Sequence, residues 1–248
     1  MTILCTIAKR RDIATMQQLP LELPALTSTT AADFVVGECN RLAVAWIERW
    51  PDWPAGILVL HGPTGSGRSH LAEIWRHRAE ASDVEWPEVE VCAARANRGC
   101  RLLVDPVPPP PWGMEQERHL LHLLNVVRER RGSLLLVADG PPGVWPIELP
   151  DLGSRVRAAG VAGIGPPDDA TLAAVLAKHF GDRQLPVGAD VIAFLVARME
   201  RSFAAAEWLA SEIDRAALAG RRVPTVRLAA EVLAREAIQG NRRGAETP

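Results

Sequence analysis

Apolar residues recur along this chain in two patterns, and the change from one to the other divides it. Ile57-Leu-Val-Leu-His61, Val89-Glu-Val-Cys92, Arg101-Leu-Leu-Val-Asp105, Ser133-Leu-Leu-Leu-Val137 and Val161-Ala-Gly-Ile164 are short apolar runs of strand length. A helical pattern over about residues 115–130, with Leu120, Leu121, Leu124 and Val127 on one face, separates the third run from the fourth. Continuous apolar runs alternating with helical stretches predict a parallel sheet covered on both faces, an α/β fold. After Pro166-Pro167 only the helical period remains. Residues 168–180, 189–199, 202–219 and 227–238 read as amphipathic helices, with Gly181, Gly220 and Gly240 just past three of their ends.

Towards the N-terminus, apolar residues return at helical spacing from 31 to 50 (Phe34, Leu42, Trp46, Ile47), and Pro51 and Pro54 end that pattern. Residues 1–30 have little periodicity and contain Pro20, Pro24 and the polar run Thr27-Ser-Thr-Thr30, as an extended tail would. The expected organisation is a tail over 1–30, an α/β domain over 31–165, a small all-helical domain over 166–240 and a short C-terminal tail over 241–248.

Composition narrows the function. Of 248 residues, 48% are hydrophobic and 23% charged, the balance of a globular protein. The 28 Lys and Arg against 30 Asp and Glu give a net charge of −2, which speaks against a chain whose main task is coating nucleic acid. Cys5, Cys39, Cys92 and Cys100 form no CxxC pair and read as reduced thiols of a cytoplasmic protein. No apolar stretch nears the roughly 20 residues that span a bilayer, so no membrane insertion is expected. Lys9, Arg10 and Arg11 follow the first apolar run, the reverse of a secretory signal.

The chemistry concentrates after the first strand-like run. Gly62, Pro63, Thr64, Gly65, Ser66, Gly67, Arg68 and Ser69, followed by His70, fit the phosphate-loop pattern, with Arg68 where lysine is usual. Glycines let the backbone curl so that successive N–H groups face phosphate oxygens, the following helix N-terminus adds partial positive charge, and a hydroxyl ligates Mg²⁺. A guanidinium still pairs with phosphate, but as a planar fork and not as a compact point charge. Asp105, closing the third run, is the acid expected for the metal. Pro106, which opens a proline-rich stretch through Pro111, stands where such ATPases carry a second acid. Arg68 and Pro106 together predict nucleotide binding with weak or no intrinsic ATPase. His119 and His122 sit about one helical turn apart without an evident third ligand and read as ordinary helix residues.

These segments resemble a known family. Phe34-Val-Val-Gly-Glu-Cys-Asn-Arg-Leu-Ala43, the phosphate loop, Leu103-Val-Asp105, Val137-Ala-Asp-Gly-Pro-Pro142, Leu149-Pro-Asp-Leu-Gly-Ser-Arg155 and Val161-Ala-Gly-Ile-Gly-Pro-Pro-Asp168 follow in the order of the AAA+ module of the bacterial replication initiator DnaA. The resemblance runs from about 31 to 240 and implies a P-loop parallel-sheet domain with a helical lid. It implies ADP or ATP with Mg²⁺ as ligand, Ser69 and Asp105 serving Mg²⁺, Arg68 serving the phosphates, and Asp139 and Arg201 as the two nucleotide sensors. Arg155, with Arg157 as its competitor, matches the arginine finger that acts in trans on a neighbour's nucleotide. Ala138 and Gly140 depart from the polar and basic residues that flank the initiator's sensor acid.

The initiator continues into a helix-turn-helix DNA-reading domain, whereas this sequence stops at Pro248, the layout of the Hda-type regulatory inactivators of DnaA. Proteins of that type begin with a sliding-clamp-binding peptide, and Gln18, Leu19, Pro20, Leu21 and Leu23 occupy that place, ahead of the module and just after a second candidate start, Met16. A glutamine can hydrogen-bond at a pocket rim while the leucines anchor in it. The resemblance thus implies a negative regulator of replication initiation. Its partners would be DnaA and the DNA polymerase sliding clamp, without sequence-specific DNA binding, and a homo-oligomer stays open. The alternatives are an origin-associated or helicase-loading AAA+ adaptor and, more distantly, a small-molecule kinase.

Overall fold

The computed structural model describes residues 34–220 and 222–244. The expected clamp-binding residues Gln18–Leu23, Cys5 and the final residues lie outside the described residues.

Five parallel strands, β1 (Ile57–His61), β2 (Ser82–Asp83), β3 (Arg101–Val104), β4 (Ser133–Ala138) and β5 (Gly160–Gly163), form one sheet in the order β2-β3-β4-β1-β5. Strand β1 pairs with β4 from Ile57↔Leu134 to His61↔Ala138 and with β5 from Leu58↔Gly160 to His61↔Gly163. Successive side chains of a strand point to opposite faces, and the sheet uses both. Ile57, Val59, Leu102, Val104, Leu134 and Leu136 pack with α4 (Met114–Glu129) and α5 (Pro150–Ala158). Leu58, Leu60, Leu103, Leu135 and Val137 pack with α1 (Arg41–Glu48) and α2 (Arg68–Ala79). That two-sided burial is why these strands read as unbroken apolar runs. Helix α3 (Val89–Arg95) lies beside α4.

The last four helices, α6 (Asp169–Asp182), α7 (Ala189–Val196), α8 (Phe203–Gly220) and α9 (Val226–Gly244), share a core of their own around Leu172, Leu176, Phe180, Leu195, Leu209 and Ile213. The Asp168 carboxylate caps α6 by accepting from the Thr171 N–H at 2.7 Å. Among the described residues no helix is long and apolar enough to cross a membrane.

The structure corrects several elements of the sequence reading. The helix expected from residue 31 begins only at Arg41, Phe34 stands before it, and Leu42 is 71% exposed. The Asn40 side chain accepts from the Gly37 N–H (2.9 Å) and donates to the Val35 carbonyl (3.0 Å), holding the chain in an open turn there. The expected strand at Val89–Cys92 is part of α3, because Val89 and Ala93, four residues apart, are the buried pair while Val91 is exposed. The sheet edge is instead the polar pair Ser82–Asp83, bonded on one side to β3. On α4, Leu123 and not Leu121 completes the fully buried stripe. Helix α5 was not foreseen; Pro150 opens it, and Leu152 and Val156 bury one face.

Candidate nucleotide-binding site

The loop Gly62–Gly67 connects β1, which lies between β4 and β5 in the sheet, to α2. Gly65 (φ +74°) and Gly67 (φ +87°) adopt the left-handed conformation that glycine enters without strain. A Cβ at Gly62 would stand 2.6 Å from the Ile164 carbonyl oxygen and 2.9 Å from Ser66 Oγ, so the tight curl also needs its missing side chain. The Ser66 N–H donates to the Pro63 carbonyl (3.1 Å), and the hydrogen-bond ladder of α2 starts with Leu71 N–H on the Gly67 carbonyl (3.0 Å). The N–H groups of that first turn therefore point out of the helix toward the loop, with the positive end of its dipole. Ser66 is buried, and its Oγ has no hydrogen-bond partner among the described residues. A cradle of backbone donors around an orphaned hydroxyl fits phosphate oxygens.

The helical part closes against this loop. Phe203 N–H, opening α8, donates to the Gly65 carbonyl (3.0 Å), and a Cβ on Gly65 would meet Ala204 Cβ at 2.7 Å. Phe34 packs edge-on against His70, ring centroids 5.4 Å apart, and Phe34 and Phe203 both lie within 4 Å of the Cβ position of Gly67. The head of α2 thus has apolar walls from the segment before α1 and from the helical part.

Opposing charges meet beneath the loop. Arg68 donates through Nη1 to the Ala138 carbonyl and through Nη2 pairs with Asp139 Oδ1 at 2.7 Å. Its side chain is only 12% exposed, against 60% for Asp139. The sequence places both residues at the phosphates; the structure joins them to each other at the end of β4. Burial pushes the Asp105 carboxyl up, while a hydrogen bond from Ser69 and the nearby Arg68 charge pull it part of the way back. Ser69 and Asp105 thus stand together as a hydroxyl and a carboxylate, a donor set that suits Mg²⁺ carried on a nucleotide. Burial, aided by Arg68, lowers the pKa of His61 at the end of β1. His119 is paired with Glu90 at 3.2 Å.

Gly62–His70, Asp105 and Asp139 are therefore brought into one place, and two other sequence candidates are not. Arg201 bonds Asp169 Oδ1 (2.5 Å) and the Pro167 carbonyl (3.1 Å) at the entrance to α6, two residues short of the Phe203 contact with the loop. Arg155, in the last turn of α5, lines a shallow depression with Asn125, Arg128 and Glu129. Its Nε lies 3.4 Å from Asp151 Oδ1 without a hydrogen bond. Arg157 folds back over Gly153 of the same helix.

The sequence reading missed Glu117. It is 1% exposed, and its carboxylate accepts from the N–H groups of Glu148 (3.0 and 3.2 Å) and Leu149 (2.8 Å), the two residues before α5. A carboxylate inside the apolar stripe of α4, three residues before Leu120, was the available signal. It anchors the start of the helix that carries Arg155.

Comparison with known proteins places this geometry. No family model matches the chain. It is similar to the chromosomal replication initiator protein DnaA of Thermomicrobium roseum, 26% identical over 230 residues that cover 82% of this chain and 49% of that protein. It is likewise similar to DnaA of Cutibacterium acnes, 24% identical over 242 residues covering 88% and 48%. The chain thus spans about half the length of these relatives. Among solved structures, domain III of Thermotoga maritima DnaA superposes with a TM-score of 0.73 at 16% identity, over 86% of this chain and 98% of that one. A DnaA bound to AMPPCP and single-stranded DNA gives 0.64 at 18% identity, over 76% and 65%. The Thermotoga maritima RuvB branch migration motor gives 0.59 at 13%, over 72% and 61%. The chain is thus similar in sequence to DnaA over most of its length, and its described residues share the fold of DnaA domain III.

Proposed function

We propose that this chain is a regulatory inactivator of DnaA. It holds ADP or ATP with Mg²⁺ on the loop Gly62–His70, binds the sliding clamp through Gln18–Leu23, and stimulates ATP hydrolysis on DnaA by presenting Arg155. The observation that carries the reading is the division of labour between two arginines. Arg68, at the chain's own phosphate loop, is held by Asp139 and the Ala138 carbonyl. Arg155 stands away from that loop on α5, its Nε 3.4 Å from the Asp151 carboxylate of the same helix and without a hydrogen bond. A module that ties down its own loop cation and has Pro106 after Asp105 is suited to binding nucleotide and poorly suited to hydrolysing it. Ser69 and Asp105 would hold the Mg²⁺ that neutralises phosphate charge, and Arg201 would approach the nucleotide through a rearrangement of its bond to Asp169. A guanidinium delivered in trans offsets charge developing on the partner's phosphates, an effect worth about 10³–10⁵ in rate. The protein would act in the cytoplasm and leave DnaA in its ADP form.

The test is phosphate release from ATP-loaded DnaA with this protein and clamp loaded on DNA. Wild type should accelerate release, Arg155→Ala should abolish the acceleration with nucleotide and clamp binding intact, and Arg155→Lys should restore little because the ammonium lacks the fork. No acceleration by the wild type overturns the proposal, and loss only in Arg157→Ala moves the finger to that residue. The second reading, a DnaA-like initiation or helicase-loading adaptor, is favoured by the name DnaA on the relatives. Clamp pull-down separates the two. Replacing Gln18, Leu19 and Leu21 by Ala should weaken clamp binding at least tenfold, about 1–2 kcal/mol per anchor, only if the chain is an inactivator.

A further inference from the structure

The end of the sheet opposite the phosphate loop carries a second feature. Residues 95–101 lead into β3 and residues 128–133 into β4, neighbouring strands paired Arg101↔Ser133. The two approaches are stitched together, since Gly99 N–H donates to the Arg130 carbonyl (2.8 Å) and Ser133 N–H to the Cys100 carbonyl (2.7 Å). Within residues 95–101 and 128–131 there are six arginines, Arg95, Arg98, Arg101, Arg128, Arg130 and Arg131, and one acid, Glu129. All but Arg101 are exposed.

Elsewhere several exposed arginines are ion-paired, Arg41 with Glu38, Arg201 with Asp169, Arg215 with Glu212 and Arg227 with Glu231, and those that are not, such as Arg49, Arg78, Arg118 and Arg198, are spread along the sequence. In this cluster Arg101 reaches Glu80 at 4.0 Å, and none of the other five is in an ion pair among the described residues. Attraction to a helix C-terminus accounts for Arg95 and Arg128, in the last turns of α3 and α4, because the effect fades within a turn. It does not account for Arg98 and Arg131 beyond those ends. Arg131 moreover has φ +53°, in the left-handed position after a helix where glycine is the unstrained choice.

We propose that this face docks the phosphate backbone of duplex DNA without regard to sequence. Crowded like charges repel unless a polyanion relieves them, and a double helix offers phosphates about every 3.4 Å along each strand. The two segments contain no aromatic residue on which unpaired bases could stack, as single-strand binders use. They also expose no large apolar anchor of the kind that dominates protein interfaces. The chain's overall charge of −2 makes this a local surface, distinct from both the phosphate loop and the depression at Arg155 except for the shared rim at Arg128.

The experiment is fluorescence anisotropy of a labelled duplex of arbitrary sequence with the purified full chain, in the absence of DnaA and clamp, across a salt series. The expected result is binding whose log affinity falls with log salt by about 0.9 per phosphate contacted. The paired change Arg98→Ser and Arg131→Gly, the latter relieving the left-handed strain, should weaken it at least tenfold and flatten the slope. Melting temperature should not fall, and nucleotide affinity should stay unchanged. Absence of binding at low salt, equal affinity for polyglutamate, preference for single strands, or a variant that binds as wild type would each overturn the proposal. Because neither partner is present, such a failure would leave the inactivator reading standing.

Discussion

At Asp105 a single carboxylate records how this site balances burial against charge. Burial favours its protonated form, and the Ser69 hydroxyl with the Arg68 charge offsets part of that pressure. An ordinary aspartate protonates near ~4. With the Asp105 carboxyl pushed up, protons compete with Mg²⁺ earlier as the pH falls. The Mg²⁺-dependent part of nucleotide affinity should therefore decline on acidification before an exposed carboxylate would titrate. Ser69→Ala, which removes the bond that lowers the carboxyl, should move the decline to higher pH. Affinity of Mg²⁺-ATP across a pH series checks this, and an unmoved profile in the variant would remove Ser69 from that role. Arg68 belongs to the same balance, since its fork is shared between Ala138 and Asp139 and so bonds the head of α2 to the end of β4.

Between elements, two contacts set what the site can do. The first is α8 on the phosphate loop. Gly65→Ala would drive a methyl into Ala204 at a backbone angle that disfavours any side chain. It should weaken nucleotide binding at least tenfold, and Ala204→Gly in the same chain should recover part of the loss by removing the clash but not the strain. Equal losses in single and double variants, read by calorimetric titration, would show that the helical part does not bear on the loop. The second contact is Glu117 on the entry to α5. Glu117→Leu would strand two backbone donors and should lower stability by about 2–5 kcal/mol, whereas Glu117→Gln keeps one acceptor and should lose less. Denaturant unfolding measures both. Neither contact was legible beforehand, for Glu117 and Leu149 are 32 positions apart and only packing brings them together.

For the whole molecule, two partly buried histidines tie stability to pH. Burial lowers the pKa of His61 and of His179 from the ordinary value near 6.5, with Arg68 and Arg183 respectively adding to the effect. The unfolded chain takes up these protons at its higher pKa while the folded chain resists them. The stabilising contribution is therefore present above about 6.5 and is lost as the pH falls through the folded values. Melting temperature should drop on acidification from neutral pH, and His179→Gln should flatten the drop. An equal slope in that variant would show that the buried carboxyls govern the acid limb.

The sequence by itself determined what depends on local order. Four of the five strands, the helices after residue 166 and the phosphate loop were readable because burial in the sheet writes unbroken apolar runs, amphipathic packing writes a 3.6-residue period, and a tight anion-binding turn demands glycines at set intervals. Tertiary structure decided what depends on neighbours distant in sequence. Ser82–Asp83 becomes a strand because β3 offers it bonding partners, although its residues carry no apolar signal. Val89–Cys92 turns helical because its buried contacts repeat every fourth residue and lie on one side. Arg68 faces Asp139, 71 positions away, only once β4 lies beside β1. Periodicity records how a segment meets an apolar core. Charge pairing and hydrogen-bond partners carry no such record, so they are settled only when the sheet assembles.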